Sequence, residues 1–135
     1  MNPIQIHTMI LTEDMDATRA FYLSIGARPM WDTPEHMCFG FGPEEQPGSI
    51  SFYSPTSPGF ELEQKAFGGE GLMLCIPAGQ ADARCAEFRA KGIAILQEPT
   101  DRDWNWRSFL IRDPNGVVLD FFEVLPDAES QHAPS

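Results

Sequence analysis

The sequence predicts an α+β fold of two tandem βαβββ modules with the helices outside, and two observations carry that prediction. The same order of elements occurs twice, about half the chain apart. His7-Thr8-Met9-Ile10-Leu11-Thr12 is an extended run that leads into a helical stretch around Ala17–Ser24 and stops at Gly26, while Gly71-Leu72-Met73-Leu74-Cys75-Ile76 leads into a second around Ala81–Lys91 and stops at Gly92. Each half then closes on an apolar strand, Ile50-Ser51-Phe52-Tyr53 in the first and Leu119-Asp120-Phe121-Phe122 in the second. One βαβββ unit has too few strands to cover its own apolar face, so a repeated unit is expected to pair with its copy.

Each element has a local reason. Ile4, Ile6, Thr8 and Ile10 alternate with Gln5, His7, Met9 and Leu11, the period of a strand, and put His7 on the second face. Thr12-Glu13-Asp14-Met15-Asp16 supplies N-cap candidates and first-turn acids, and Met15, Thr18, Ala20, Phe21 and Tyr22 offer the helix a buried side. Strands follow at Ala27–Asp32, His36–Phe41 and Ser49–Ser54, with Phe52 on one face and Ser51 and Tyr53 on the other. The second helix offers Ala83, Ala86, Phe88 and Ala90 as a packing side. Its strands are expected at Ile93–Leu96, Arg107–Arg112 and Val117–Val124, the last two joined by the hairpin signal Asp113-Pro114-Asn115-Gly116. The expected organisation is one domain over 1–126, with module one at 4–55, a Pro/Gly/Ser-rich linker at 56–70, module two at 71–125 and a flexible tail at 127–135.

Composition removes several function classes. Twenty acidic against nine basic residues give a net charge of −11, which repels nucleic acid and anionic membranes, so neither is expected as a partner. Cys38, Cys75 and Cys85 are odd in number and lack CxxC spacing, which fits reduced, buried thiols, Cys38 and Cys75 among them in strand patterns, and a cytoplasmic setting. No basic-then-apolar leader opens the chain, and no stretch approaches the roughly 20 apolar residues of a membrane span.

His7-Thr8-Met9 followed by Glu13-Asp14-Met15-Asp16 and Phe21-Tyr22, together with Arg112-Asp113-Pro114-Asn115-Gly116 and Leu119-Asp120-Phe121-Phe122-Glu123, resembles the vicinal oxygen chelate superfamily from Ile4 to Val124. That group includes glyoxalase I, fosfomycin-resistance and bleomycin-binding proteins and extradiol dioxygenases. The resemblance implies curved sheets forming a cup, and homodimers in many members. It also implies a divalent ion, in the metal-dependent members, held from the first and last strands of each module. Carried over residue by residue, those positions fall on His7, Ser51, Gly71 and Asp120. Only His7 and Asp120 are ligands, fewer than the three or more donors a tight site usually needs, so no cofactor and no bound metal is expected. A metal-dependent alternative would use His7 and Asp120 with a displaced ligand such as Glu70, Glu61 or Glu63.

Two function classes follow from these residues. The first is a module that binds a small organic molecule in the cup, with His7, Ser51, Tyr53, Trp104, Trp106, Arg107, Asp120 and Phe122 as contact residues. The second is a glyoxalase-type lyase or dioxygenase-like enzyme with Asp120 and His7 as catalytic candidates; a metal-free variant would use Asp120 as a general base. Asp120 carries the most chemistry. A carboxylate inside an apolar strand costs several kcal/mol unless it is partnered, and His7, Arg107 or a ligand are its expected partners.

Overall fold

A computed structural model describes residues 8–44, 47–57 and 65–126. In chain order the elements are β1 (Thr8–Leu11), α1 (Met15–Ser24), β2 (Arg28–Asp32), β3 (His36–Phe41), β4 (Gly48–Tyr53), β5 (Met73–Pro77), α2 (Ala81–Ala90), β6 (Gln97–Asp101), β7 (Trp106–Arg112) and β8 (Val118–Val124). They build two four-stranded sheets of identical design, ordered β1-β4-β3-β2 and β5-β8-β7-β6. In each, the first strand runs parallel to the last and the remaining pairs are antiparallel. This is the βαβββ order used twice. By contacts the chain forms two compact units, one reaching Gly69 and taking in Asp113–Gly116, the other made of Glu70–Arg112 and the chain from Val117. Among the described residues no helix is long and apolar enough to cross a membrane.

In the first unit, α1 starts at Asp14, whose carboxylate accepts the Ala17 amide at 2.9 Å, and it stops at Gly26, whose φ of 89° suits a residue without a Cβ. The helix buries Thr18 and Tyr22 against the sheet, whereas Ala20, expected on that side, is exposed. Tyr22 is the centre of the packing. Its ring stacks on Phe39 at 5.3 Å and meets Phe52 at 5.1 Å, and its hydroxyl donates to the Asp113 carboxylate at 2.7 Å. Thr12 Oγ1 donates to Asn115 Oδ1 at 2.6 Å, and Asn115 Nδ2 donates to Thr18 Oγ1 at 3.1 Å. The Asp-Pro-Asn-Gly sequence therefore does more than reverse the chain: its two polar side chains complete the buried network of the first unit. At its end, a Cβ on Gly116 (φ 87°) would stand 2.5 Å from the Gly68 carbonyl oxygen, so the backbone approaches too closely for any other residue.

In the second unit, α2 has no side-chain cap at Gln80; instead Glu123 of β8 accepts the Ala81 amide at 2.8 Å. Its buried stripe is Ala81, Cys85 and Phe88, not the expected Ala83, Ala86 and Ala90, which are exposed. The i, i+4, i+7 spacing that ends on the one large apolar residue sets the face, and alanines on the other side bury nothing. Phe88 packs edge-on against Phe109 and Phe121, themselves stacked at 5.6 Å. A further correction concerns the strand expected at Ile93–Leu96. Leu96 only begins the pairing with β7, and β6 is Gln97–Asp101, containing Pro99 where the register shifts. As an edge strand it tolerates the missing amide of Pro99.

Replacing Tyr22 by Phe is expected to cost about 1–3 kcal/mol in urea unfolding, because buried Asp113 loses its phenol donor. Burial, then the Asp113 charge and hydrogen bond, raise the Tyr22 phenol well above its ordinary value. The folded state thus keeps a proton that the unfolded chain releases above about pH 10, so stability should fall as pH rises past that point, and the fall should be shallower in Tyr22→Phe.

Candidate functional site

Each sheet has a helix on one face only, and strand alternation decides what stands on the other. In β8, Leu119 and Phe121 point to α2, which leaves Val118, Asp120 and Phe122 on the helix-free face. Cross-strand partners share a face, so Cys75, Asp120, Leu110 and Gln97 form one row and Pro77, Phe122, Ser108 and Thr100 the next. Trp106, opposite Val124, lies parallel to the Phe122 ring at 4.0 Å and meets Trp104 edge-on at 6.1 Å. The turn before β7 places these rings: Arg102 and Trp106 pair through their backbones, and Asn105 takes a φ of 62°, a conformation Asn tolerates better than most residues. Trp104, Trp106 and Phe122 thus make an aromatic strip beside Asp120.

Asp120 is 4% exposed. Among the described residues its Oδ2 receives the Cys75 thiol, at 3.9 Å, and its Oδ1 is buried with no hydrogen-bond partner. Arg107, an expected partner, is turned to the other face. Its guanidinium bonds Asp82 of α2 at 3.0 Å and Asp101 at 2.9 Å, and the structure does not bring it to Asp120. A cleft of about 380 Å³ does open beside Arg107, lined by Asp82, Cys85, Arg89, Glu98 and Pro99. Its arginines are already neutralised, Arg89 by Glu98 and Arg107 by Asp82 and Asp101, so it lacks the unmet polar demand found at Asp120.

In the first unit the equivalent face carries Ser51, fully buried opposite Met9 and Cys38, and half-buried Tyr53 opposite Leu11 and His36. Trp31 Nε1 donates to His36 Nδ1 at 3.1 Å; since an indole N–H only donates, that nitrogen of His36 must be the unprotonated one. His7, Glu61 and Glu63 lie outside the described residues, and Glu70 is exposed before β5. The strand registers also revise one alignment. Met9 pairs with Ser51 as Cys75 pairs with Asp120, so the second-module position matching residue 7 is Met73 rather than Gly71.

Two neighbours escaped sequence reading. Cys75, expected in the core, is exposed, because Ile76 takes the helix side and the thiol takes the other. His36 carried no sequence signal; only the β3–β4 register places it beside Tyr53. Among the described residues the donors at Asp120 are few. One carboxylate and one thiol are present, and among the described residues no three His, Cys, Asp or Glu side chains converge.

The paired βαβββ sheets define the class, and sequence comparison agrees: residues 4–121 match the Glyoxalase/Bleomycin resistance protein/Dioxygenase superfamily. The chain belongs to that family. Among solved structures it resembles a glyoxalase/bleomycin resistance protein/dioxygenase from Nocardioides, with a TM-score of 0.68 and 21% identity over 93% of this chain and 86% of that one. It also resembles the bleomycin resistance determinant encoded on transposon Tn5, with a TM-score of 0.63 and 19% identity over 89% and 97%. A third is the lactoylglutathione lyase of Agrobacterium tumefaciens, with a TM-score of 0.67 and 21% identity over 90% and 95%. At these identities the shared property is the fold. No curated protein matches the sequence.

A buried carboxylate with an unmet oxygen is a cost to folding, so Asp120→Asn is expected to raise stability, by about 1 kcal/mol in urea or thermal unfolding. A loss of stability would mean that the charge has a structural partner.

Proposed function

We propose that this protein binds a small organic molecule on the helix-free face of its second sheet, through a flat group against the aromatic strip and a hydrogen-bond donor or cation on Asp120. The single observation behind this reading is the Asp120 Oδ1 atom, buried beside that strip and without a partner among the described residues. Whatever fills that demand must donate a hydrogen bond or carry positive charge. Trp106 and Phe122 favour the same chemistry, since electron-rich ring faces attract flat and cationic groups. The net charge of −11 draws cations at long range. Binding without catalysis accords with the bleomycin resistance determinant among the structural relatives, and catalysis with the lactoylglutathione lyase. Ser51 and Gly71, at positions the resemblance gives to ligands, favour the former.

Three probes separate the possibilities: bleomycin, lactoylglutathione, and thioflavin T as a simple flat cation. Saturable quenching of tryptophan fluorescence by bleomycin or thioflavin T is expected, lost in Trp106→Ala and weakened about tenfold in Asp120→Asn. Absence of quenching by every probe, or equal affinity in Asp120→Asn, would overturn the reading. Uptake of about one divalent ion per chain, abolished in His7→Ala, would favour the metal-dependent alternative through His7 and Asp120.

A further inference from the structure

Asn115-Gly116 is the chain's one asparagine followed by glycine; Asn2 precedes proline and Asn105 precedes tryptophan. That pair is chemically labile, because a glycine amide has no side chain to hinder its attack on the preceding asparagine carboxamide. Here the groups the reaction needs are engaged. Thr18 Oγ1 gives its proton to the Asp14 carbonyl at 2.8 Å and so accepts from Asn115 Nδ2 at 3.1 Å, while Thr12 Oγ1 gives its own to Asn115 Oδ1 at 2.6 Å. The nucleophile, the Gly116 amide, donates to the Asp113 carbonyl at 3.1 Å.

We propose that Asn115-Gly116 is a latent covalent modification site, held unreactive by this network and released when the first unit opens. Ring closure needs the Gly116 amide to give up its proton and Nδ2 to depart, and each is tied by a hydrogen bond of the folded turn. Once those bonds are broken, the Gly116 nitrogen loses its proton to hydroxide and bonds to Asn115 Cγ. The Cγ–Nδ2 bond breaks, and ammonia leaves with a proton taken from water. Water then opens the cyclic imide at either carbonyl, which leaves aspartate or isoaspartate at position 115. Nothing is oxidised or reduced.

The folded turn has no place for either product. An ionised aspartate at 115 cannot donate to Thr18, and it sets a second carboxylate beside buried Asp113, whose Oδ1 already accepts the Asn115 amide at 2.8 Å. Isoaspartate adds a carbon to the main chain where backbones already touch: a Cβ on Gly69 would stand 2.1 Å from the Gly116 carbonyl carbon, and one on Gly116 would stand 2.5 Å from the Gly68 oxygen. Conversion is therefore a one-way step, and the altered residue marks chains whose first unit has opened. Neither Asp120 nor the aromatic strip takes part, so this inference stands or falls apart from the proposed ligand.

The test is the rate of conversion of the full chain in mildly alkaline buffer, read by mass spectrometry of the peptide that carries residue 115 and by enzymatic methylation of isoaspartate. Unfolded in guanidinium chloride, the chain should convert about a hundredfold faster than when folded. Thr12→Val should speed conversion of the folded chain about tenfold, and Thr12→Ser should restore the wild-type rate. The converted chain, once purified, should unfold at lower urea than the unconverted one. Equal rates in the folded and unfolded chain, no effect of Thr12→Val, or an unchanged urea midpoint after conversion would each overturn the proposal. If Thr12→Val does not fold, hydrogen exchange of the wild-type Gly116 amide decides: slowing of about tenfold or more relative to the unfolded chain supports the lock, and less refutes it.

Discussion

A sheet with a helix on one face only sorts its residues by parity. Everything else in this protein depends on that constraint. In β8 the odd positions, Leu119 and Phe121, enter the core with Phe88 and Phe109, and the even ones, Asp120 and Phe122, stand on the helix-free face. A one-residue slip in the β5–β8 register would send Asp120 into the aromatic core and Phe121 to the other face. The Phe88–Phe109–Phe121 cluster forbids that slip, so apolar packing on one side fixes the chemistry on the other.

The first unit solves a different problem with the same topology. Its helix buries a tyrosine, and a buried phenol needs a partner. Asp113 provides it, while Asn115 closes a second ring of hydrogen bonds with Thr12 and Thr18. The turn is thereby specified twice, by backbone conformation at Gly116 and by side-chain demand at Asp113 and Asn115.

Much of the fold was legible in the sequence because it rests on short-range signals: alternation in the strands, Gly26 and Gly92 after the helices, and a repeat that imposed the same order twice. What failed had non-local causes. The buried stripe of α2 is chosen by where Phe88 meets Phe109 and Phe121, which no alanine count reveals. The strand β6 contains a proline that only an edge position permits. At the candidate site, the apolar flanks of Asp120 announced its burial, and the aromatic loop announced Trp106. That Arg107 is not its partner was not visible, because Arg107 suited Asp120 equally well until the structure gave it to Asp82 and Asp101. Cys75 was hidden for a similar reason: a cysteine in an apolar strand reads as core until the register shows which face it takes.

Asp120, Cys75 and the Trp106–Phe122 stack combine an acceptor without a partner among the described residues, a thiol and a flat apolar surface on one face, whereas the cleft beside Arg107 is internally neutralised. The proposed function rests on the first being the occupied place. Backbone and indole chemical-shift mapping of the 15.1 kDa chain by nuclear magnetic resonance, titrated with thioflavin T, tests this most directly. Shifts centred on Cys75, Leu110, Asp120, Phe122 and the Trp106 indole are the expected result; shifts confined to α2 and the strands around Arg89, Glu98 and Arg107 would contradict it.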